Sequence, residues 1–453
     1  MSPGSPISRA LDRITAWIAR WGGVLPLLAA EFILWTGFGA LLPVMPLYFT
    51  EHDVDVEMLG VVIAAWPAAR LFTEPLFGSL ADRVPRVPLM VLGLVIAAAS
   101  VGAMAIWTAP VAFVALRALS GLGTAMYDPA ARGYLNDAAP PGQTGEVFGL
   151  YNAAQMGGLL LGPAIGGLGT ALVGGYEFVL LLASLTTFLA AVAVAMRVKE
   201  LRGPRARSTP AGGSLSEFPG DLIPDLAEPA TAGAAAAAAA AASAASAPVS
   251  LRNRFIAAAI LVNLAGYFGG GLYETIWALF VTDRGGGVEL VGLTFAVFGL
   301  VTIVVSPLGG RAVDRRGPFP FIVAGLAVMA GTMVLYPSAP DPLLFIPMVA
   351  LEAVGWAFLG PATYAVIARG TPVGRSSTAQ GVLGAAGTVG TITAALATGV
   401  MAAVDLDIPF YVGSAVVVLL LVLTLAVGGR AVRAMKPAAT APASGPATGP
   451  RTA

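Results

Sequence analysis

Pro75-Leu76-Phe77-Gly78-Ser79-Leu80-Ala81-Asp82-Arg83-Val84-Pro85 and Pro307-Leu308-Gly309-Gly310-Arg311-Ala312-Val313-Asp314-Arg315-Arg316-Gly317 stand 232 residues apart and share a G-x-x-x-D-R core. Each lies in the polar break between the second and third apolar stretch of its half of the chain. Recurrence at corresponding breaks marks two parallel structural repeats. Around the two copies, apolar runs long enough to cross a bilayer, which takes about 20 residues, fall near 24–49, 58–80, 87–107, 111–135, 146–173 and 176–197. They resume near 254–282, 289–311, 318–337, 343–368, 378–402 and 408–428. The expected fold is an all-α integral membrane protein, twelve transmembrane helices in two six-helix repeats.

Composition agrees and excludes other classes. Of 453 residues, 57% are hydrophobic and 11% charged, against about 25% charged in soluble domains. Twenty-five basic and 25 acidic residues leave no basic excess for nucleic acid. Cysteine is absent and His52 is the single histidine, which rules out disulfides, thiolate metal sites and multi-histidine metal sites. No phosphate-binding loop and no nucleophile–base–acid set stands out. The chain is therefore expected to be no enzyme, with no cofactor and no metal.

Five regions follow. In 1–21, Ile7, Leu11, Ile14, Ile18 and Trp21 recur at three- and four-residue steps, the pattern of a short helix lying on the membrane surface; a frayed polar tail is the alternative. Residues 22–198 form the first bundle and 253–429 the second. Between them, 199–252 carries Arg, Pro and Ser and nine consecutive alanines from Ala234, read as a flexible linker. Residues 430–453 form a tail. Placing both termini, the linker and loops such as 81–86 in the cytoplasm gathers nearly all the basic residues there, apart from Arg284 and the intramembrane Arg70 and Arg117. Glu51, Asp53, Asp55 and Glu57 fall on the outer side. This is the positive-inside distribution.

Three further motifs accompany the repeated loop: Gly37-x-Gly39-x-x-x-Pro43-Val44-x-Pro46 in the first span, Arg117-x-x-x-Gly121-x-Gly123-x-Ala125 in the fourth, and Gly158-x-x-x-Gly162-Pro163-x-x-Gly166-Gly167 in the fifth. With the G-x-L-A-D-R of 78–83, they make a set that resembles the twelve-helix drug/proton antiporter branch of the major facilitator superfamily. Pro85, Val87 and Pro88 depart from the loop pattern of that family; the second copy keeps more of it. The resemblance implies two bundles rocking about a central cavity, a monomer in the cytoplasmic membrane, and a small molecule exchanged for a proton. It also implies a conformational latch at Gly78, Asp82, Arg83, Gly310, Asp314 and Arg315, the carboxylates lying where a neighbouring helix N-terminus attracts them. Gly158, Gly162, Pro163, Gly166 and Gly167 are then the antiporter motif, small residues that let helix backbones approach, with a proline that removes one backbone donor.

Charges inside apolar spans cost about 2.5–3.5 kcal/mol each at mid-bilayer, and Glu31, Arg70, Glu74, Arg117, Glu274 and Glu352 fall there, with Asp128 near a span end. Arg70 and Glu74, four apart, are expected to neutralise each other. Glu31, Arg117 and Glu274 are the expected proton-coupling residues. Arginine stays protonated, so Arg117 would act by tuning a carboxylate; Glu31 is its expected partner, either as a coupling device or as a static ion pair. Tyr151, Asn152, Gln155, Tyr273, Trp277, Glu352 and Tyr364 are expected to line the substrate cavity, with Glu274 between Tyr273 and Trp277 suited to an organic cation. The expected function is proton-coupled export of drugs or other lipophilic molecules. A metabolite, sugar or lipid transporter of the same fold is the alternative, and a non-transporting receptor or scaffold the remote one.

Overall fold

A computed structural model describes residues 21–139, 144–201, 253–371 and 376–435. The amphipathic reading of 1–20, most of the linker and the end of the tail lie outside the described residues. Among those described, the chain is all helix, turn and loop. The first half contains α1 (Leu25–Leu41), α2 (Met45–Glu51), α3 (Val56–Ala81), α4 (Arg86–Met104), α5 (Pro110–Ala138), α6 (Thr144–Val173) and α7 (Glu177–Arg197). The second contains α8 (Arg254–Asp283), α9 (Val288–Arg316), α10 (Phe319–Leu335), α11 (Phe345–Gly370), α12 (Ser376–Ala402) and α13 (Ile408–Arg433). Eleven of these are long and apolar enough to span a membrane.

Two expected boundaries change. The first span is not one rod: α1 and α2 meet at 47°, because Pro43 and Pro46 withdraw backbone donors within one turn. The last helix runs on to Arg433, past the expected end of the second bundle at 429. Its terminal Arg430 and Arg433 favour that extension, since cations stabilise a helix C-terminus.

The 232-residue offset reaches far beyond the loop motif, and the packing shows why. Gly93 of α4 and Gly123 of α5 cross so closely that a methyl on either would sit 2.5 Å from the other's carbonyl oxygen. The residues 232 further on, Gly325 and Gly355, make the same crossing between α10 and α11. Tyr48 packs on Phe113 at 5.8 Å between ring centres, and their counterparts Phe280 and Phe345 pack at 5.5 Å. Bare backbone and buried rings recur together because each repeat must fill the same helix crossings.

The halves join at two seams related by the same offset. Gly60 of α3 meets Gly399 and Ala395 of α12, and Gly167 of α6 meets Gly292 of α9. A methyl on Gly399 would lie 3.0 Å from the Gly60 Cα, and one on Gly167 would lie 2.9 Å from the Gly292 Cα. Gly292 stands 232 residues after Gly60, and Gly399 stands 232 after Gly167. Both seams lie on the side of the acidic loops. Toward the basic loops, Gly149, Gly310 and Gly381 have no atom of the described residues within reach, and Gly78 meets only Pro129 of its own half among them. Phe72 and Leu76 there are 75% and 66% exposed. Among the described residues the two halves are closed at the acidic end and open at the basic end.

The glycine motif of α6 divides its glycines between two neighbours. Gly158, Gly162 and Gly166 pack on α1, with a methyl on Gly162 falling 2.6 Å from the Gly39 Cα, while Gly167 faces the other half. Gly162→Val is therefore expected to lower the stability of the purified protein by about 1–3 kcal/mol, and Gly149→Val, at the open end, to leave it unchanged. Thermal unfolding in detergent followed by tryptophan fluorescence checks this; equal melting temperatures for the two variants would contradict it.

Candidate functional site

Helices α1, α3, α5 and α6 of the first half bring polar side chains to the interior, and α8 answers from the second. Three arrangements result.

The first surrounds Glu31, whose side chain is fully buried. Trp35 Nε1, one turn along the same helix, donates to its Oε1 at 2.8 Å, Gln155 Nε2 of α6 to the same oxygen at 2.5 Å, and Tyr127 Oη of α5 to Oε2 at 2.5 Å. Tyr151 is buried in the same neighbourhood. Among the described residues Glu31 makes no ion pair. A carboxylate held by neutral donors alone is a site that gains or loses a proton without tearing apart a salt bridge.

The second joins the halves. Arg117 Nη2 of α5 stands 3.3 Å from Glu274 Oε1 of α8, and also donates to the Ile63 carbonyl at 3.4 Å. The Arg117 Nε has no partner, and its guanidinium carbon is 6.0 Å from the centre of the Trp66 ring. Arg117 is sealed in, whereas the Glu274 side chain keeps 21% of its surface open. The expected pairing of Arg117 with Glu31 is thereby corrected. Arg117 sits in the second turn of α5, near the closed end, and Glu31 sits near the opposite end of its own helix, so the two are at different depths.

The third is a charged quartet between α3 and α5. Arg70 pairs with Glu74, as its spacing predicts, at 3.1 Å, and also with Asp128. Arg132 approaches Glu74 at 3.4 Å and Asp128 at 3.7 Å. Arg132 went unnoticed in the sequence because a basic residue near a span end reads as a topology determinant. Its four-residue step from Asp128 was the available signal.

Several cavity candidates fall elsewhere. Trp277 points into a packed aromatic cluster with Phe280, Tyr336, Phe345 and Phe410, and its Nε1 donates to Thr294. Tyr273 donates to Glu352 at 3.0 Å, and Tyr336 and Thr332 donate to the same oxygen at 2.8 and 3.1 Å. Glu352 and Trp277 are thus buried within the second bundle, and Glu274 is satisfied by Arg117. The carboxylate-and-aromatic site for an organic cation at Glu274 is not assembled in this conformation. Asn152 and Tyr364 are exposed and Gln155 is half-buried, though Gln155 is engaged by Glu31. The residues expected to form a latch stand apart: Asp82 is exposed, 3.8 Å from Arg86 of its own half, which bonds Asp137 at 2.7 Å, and Asp314 and Arg315 are exposed. Among the described residues the ion pairs of Asp82 and Arg86 stay within the first half. No cluster of metal-ligating side chains occurs among the described residues.

Comparison with known proteins places this geometry. A family model described as Major Facilitator Superfamily matches residues 27–273 and 259–450. The quinolone resistance protein NorA of Staphylococcus aureus is 28% identical over 136 residues, 30% of this chain and 35% of that protein. A staphyloferrin B transporter of the same species is 28% identical over 186 residues, 40% of this chain and 44% of that protein. The chain thus matches less than half the length of either relative. Among solved structures, the nucleoside transporter NupG superposes with a TM-score of 0.69 at 13% identity, covering 89% of this chain and 99% of its own. A bacterial homologue of the human lysosomal transporter Spinster, in an inward-facing conformation, gives 0.68 at 18%, covering 91% and 97%. At these identities the likeness is one of fold.

Proposed function

The chain belongs to the Major Facilitator Superfamily, as a multi-pass membrane transporter of small molecules and not an enzyme, and from that premise we propose that it is a proton-coupled exporter of drugs or other lipophilic molecules in the cytoplasmic membrane. The observation that carries the reading is the Arg117–Glu274 ion pair bridging the halves at the closed end of the cavity.

Opening the acidic end has to separate the bundles there, and that pulls Arg117 from Glu274. Breaking a buried pair leaves an uncompensated charge and costs about 3–5 kcal/mol. A proton taken up by Glu274 removes one of the two charges, so opening to the acidic side and proton uptake go together. When the halves close again, the Arg117 guanidinium returns to Glu274, favours the carboxylate and expels the proton. In that conformation the cavity opens only to the basic face, so the proton leaves there. With the basic face cytoplasmic, each cycle carries a proton inward. Glu31, held by neutral donors, is the second titrating group, and its proton alternates with the outgoing substrate.

The similarity to NorA supports drug export. The longer match to a staphyloferrin B transporter favours, as the second reading, a cargo other than a drug. The test is a proton measurement. In inside-out vesicles with an acidified lumen, adding ethidium is expected to release protons, seen as recovery of a pH-sensitive dye; ethidium uptake without proton movement would overturn the coupling.

A further inference from the structure

The charged quartet is not something the fold requires. At the positions 232 residues beyond Arg70, Glu74, Asp128 and Arg132, the second repeat carries Thr302, Ser306, Gly360 and Tyr364. The corresponding corner of the second bundle is thus built without a charge. The first repeat nonetheless holds two arginines and two carboxylates within membrane-spanning helices, where each is costly.

Nor is the quartet closed on itself. Arg70 is nearly buried and well paired, and Asp128 is buried between both arginines. Arg132 differs: its side chain is 48% exposed, and its carboxylate contacts, at 3.4 and 3.7 Å, are single and long. A guanidinium offers five donors in a fork that fits a carboxylate through two parallel bonds. Each terminal nitrogen of that fork makes one long contact, and nearly half of the side chain is exposed.

The opposite wall is aromatic. Tyr267 of α8 and Tyr364 of α11 are 47% and 57% exposed, and the Tyr267 hydroxyl lies within electrostatic range of Tyr364, Arg132 and Arg70. Trp356 backs Tyr267 at 6.3 Å between ring centres. Tyr267 and Tyr364 therefore face the arginines across the gap between the halves, at the end where no seam closes it. Rings on one wall and a half-exposed, weakly paired guanidinium on the other are complementary to a flat molecule with an acid group at its edge.

We propose that the cavity has a subsite for an aromatic carboxylate, with Arg132 taking the carboxylate and Tyr267 and Tyr364 the ring. The subsite deepens the export reading by naming a substrate class, and rests on it for the direction of transport but not for binding. A substrate carboxylate displaces the weak Arg132–Glu74 contact, and Glu74 keeps Arg70. Bare lipophilic cations use the same rings without the guanidinium, so the acid group, rather than size or apolarity, sets the preference.

Rhodamine B, which carries a free carboxylate, and rhodamine 6G, its near relative with that acid esterified, are the matched probes. Binding of each to the purified full-length protein in nanodiscs is read by fluorescence anisotropy. The wild type is expected to bind rhodamine B more tightly than rhodamine 6G. Arg132→Gln is expected to weaken rhodamine B by about ten- to a hundredfold and leave rhodamine 6G within about twofold, so that retained ester binding also certifies the fold. Arg132→Lys, a charge without the fork, should recover only part of the loss, and Tyr364→Leu should weaken both dyes. Equal binding of the two dyes by the wild type, no binding of either, or an equal loss of both in Arg132→Gln would overturn the subsite. These outcomes are separate from the coupling: dye-driven proton movement that fails while the binding pattern holds removes the antiport reading and leaves the subsite standing.

Discussion

Glu31→Gln is expected to abolish proton-coupled efflux of ethidium while the protein is made and folds at the normal level. The glutamine keeps the shape of the side chain and one acceptor oxygen, which meets the Tyr127 hydroxyl or the Gln155 amide as the carboxylate does. With that oxygen at the Oε1 position, Trp35 Nε1 and Gln155 Nε2 both still donate to it, and the amide nitrogen at the other position faces the Tyr127 hydroxyl, which can accept as well as donate, so at most one hydrogen bond is weakened. A single such bond is worth about 0.5–1.5 kcal/mol, too little to unfold a twelve-span bundle. What disappears outright is the titration. Efflux is therefore expected to fall to that of cells lacking the protein, with unaltered expression and thermal unfolding. Normal efflux by Glu31→Gln would mean that the group is structural.

The second large effect falls on the inter-half pair. Arg117→Gln leaves Glu274 without its cation, and Glu274→Gln leaves Arg117 facing only neutral acceptors, an amide oxygen and the Ile63 carbonyl. Loss of either partner removes about 3–5 kcal/mol from the acid-end-closed conformation, enough to shift its balance with the open one by more than about a hundredfold. Since the chain has no cysteine, spin labels at Asp55→Cys and Asp405→Cys, both exposed at the acidic end, report the separation of the halves without further engineering. The distance distribution is expected to move to longer values in each single variant. It should return toward the original when the charges are exchanged, Arg117→Glu with Glu274→Arg. In the parent protein, lowering the pH is expected to act in the same direction, because protonating Glu274 weakens the pair from one side. An unchanged distance in both single variants would show that the pair does not hold the halves.

Much of the fold is legible in the sequence for a physical reason: lipid leaves the backbone no alternative to helices, so apolar runs and their breaks report the spans directly. The repeated loop at 75–85 and 307–317 gave the internal symmetry, and the offset it defines also relates Gly60 to Gly292 and Gly167 to Gly399. That signal was present but undistinguished among 56 glycines; only the backbone crossings show which of them form seams. Charges stood out equally well, since each is costly in an apolar run. Their partners did not. Arg117 and Glu274 lie 157 positions apart on different bundles, and no periodicity connects residues on separate helices. The fate of Trp277 was equally hidden, because a residue three positions from Glu274 can face the cavity or the bundle core depending on packing around the whole helix. Arg132 needed the far wall, Tyr267 and Tyr364, before its exposure meant anything.

Opposite movement of substrate and proton through this one chain is tested most directly by the purified protein in liposomes, with nothing else present. Ethidium at equal concentration on both sides, with an imposed pH difference, is expected to accumulate against its own gradient in the compartment that is the more acidic. The accumulation should collapse on adding a protonophore and be absent with Glu31→Gln. Ethidium that stays equally distributed despite the pH difference would contradict proton-coupled export.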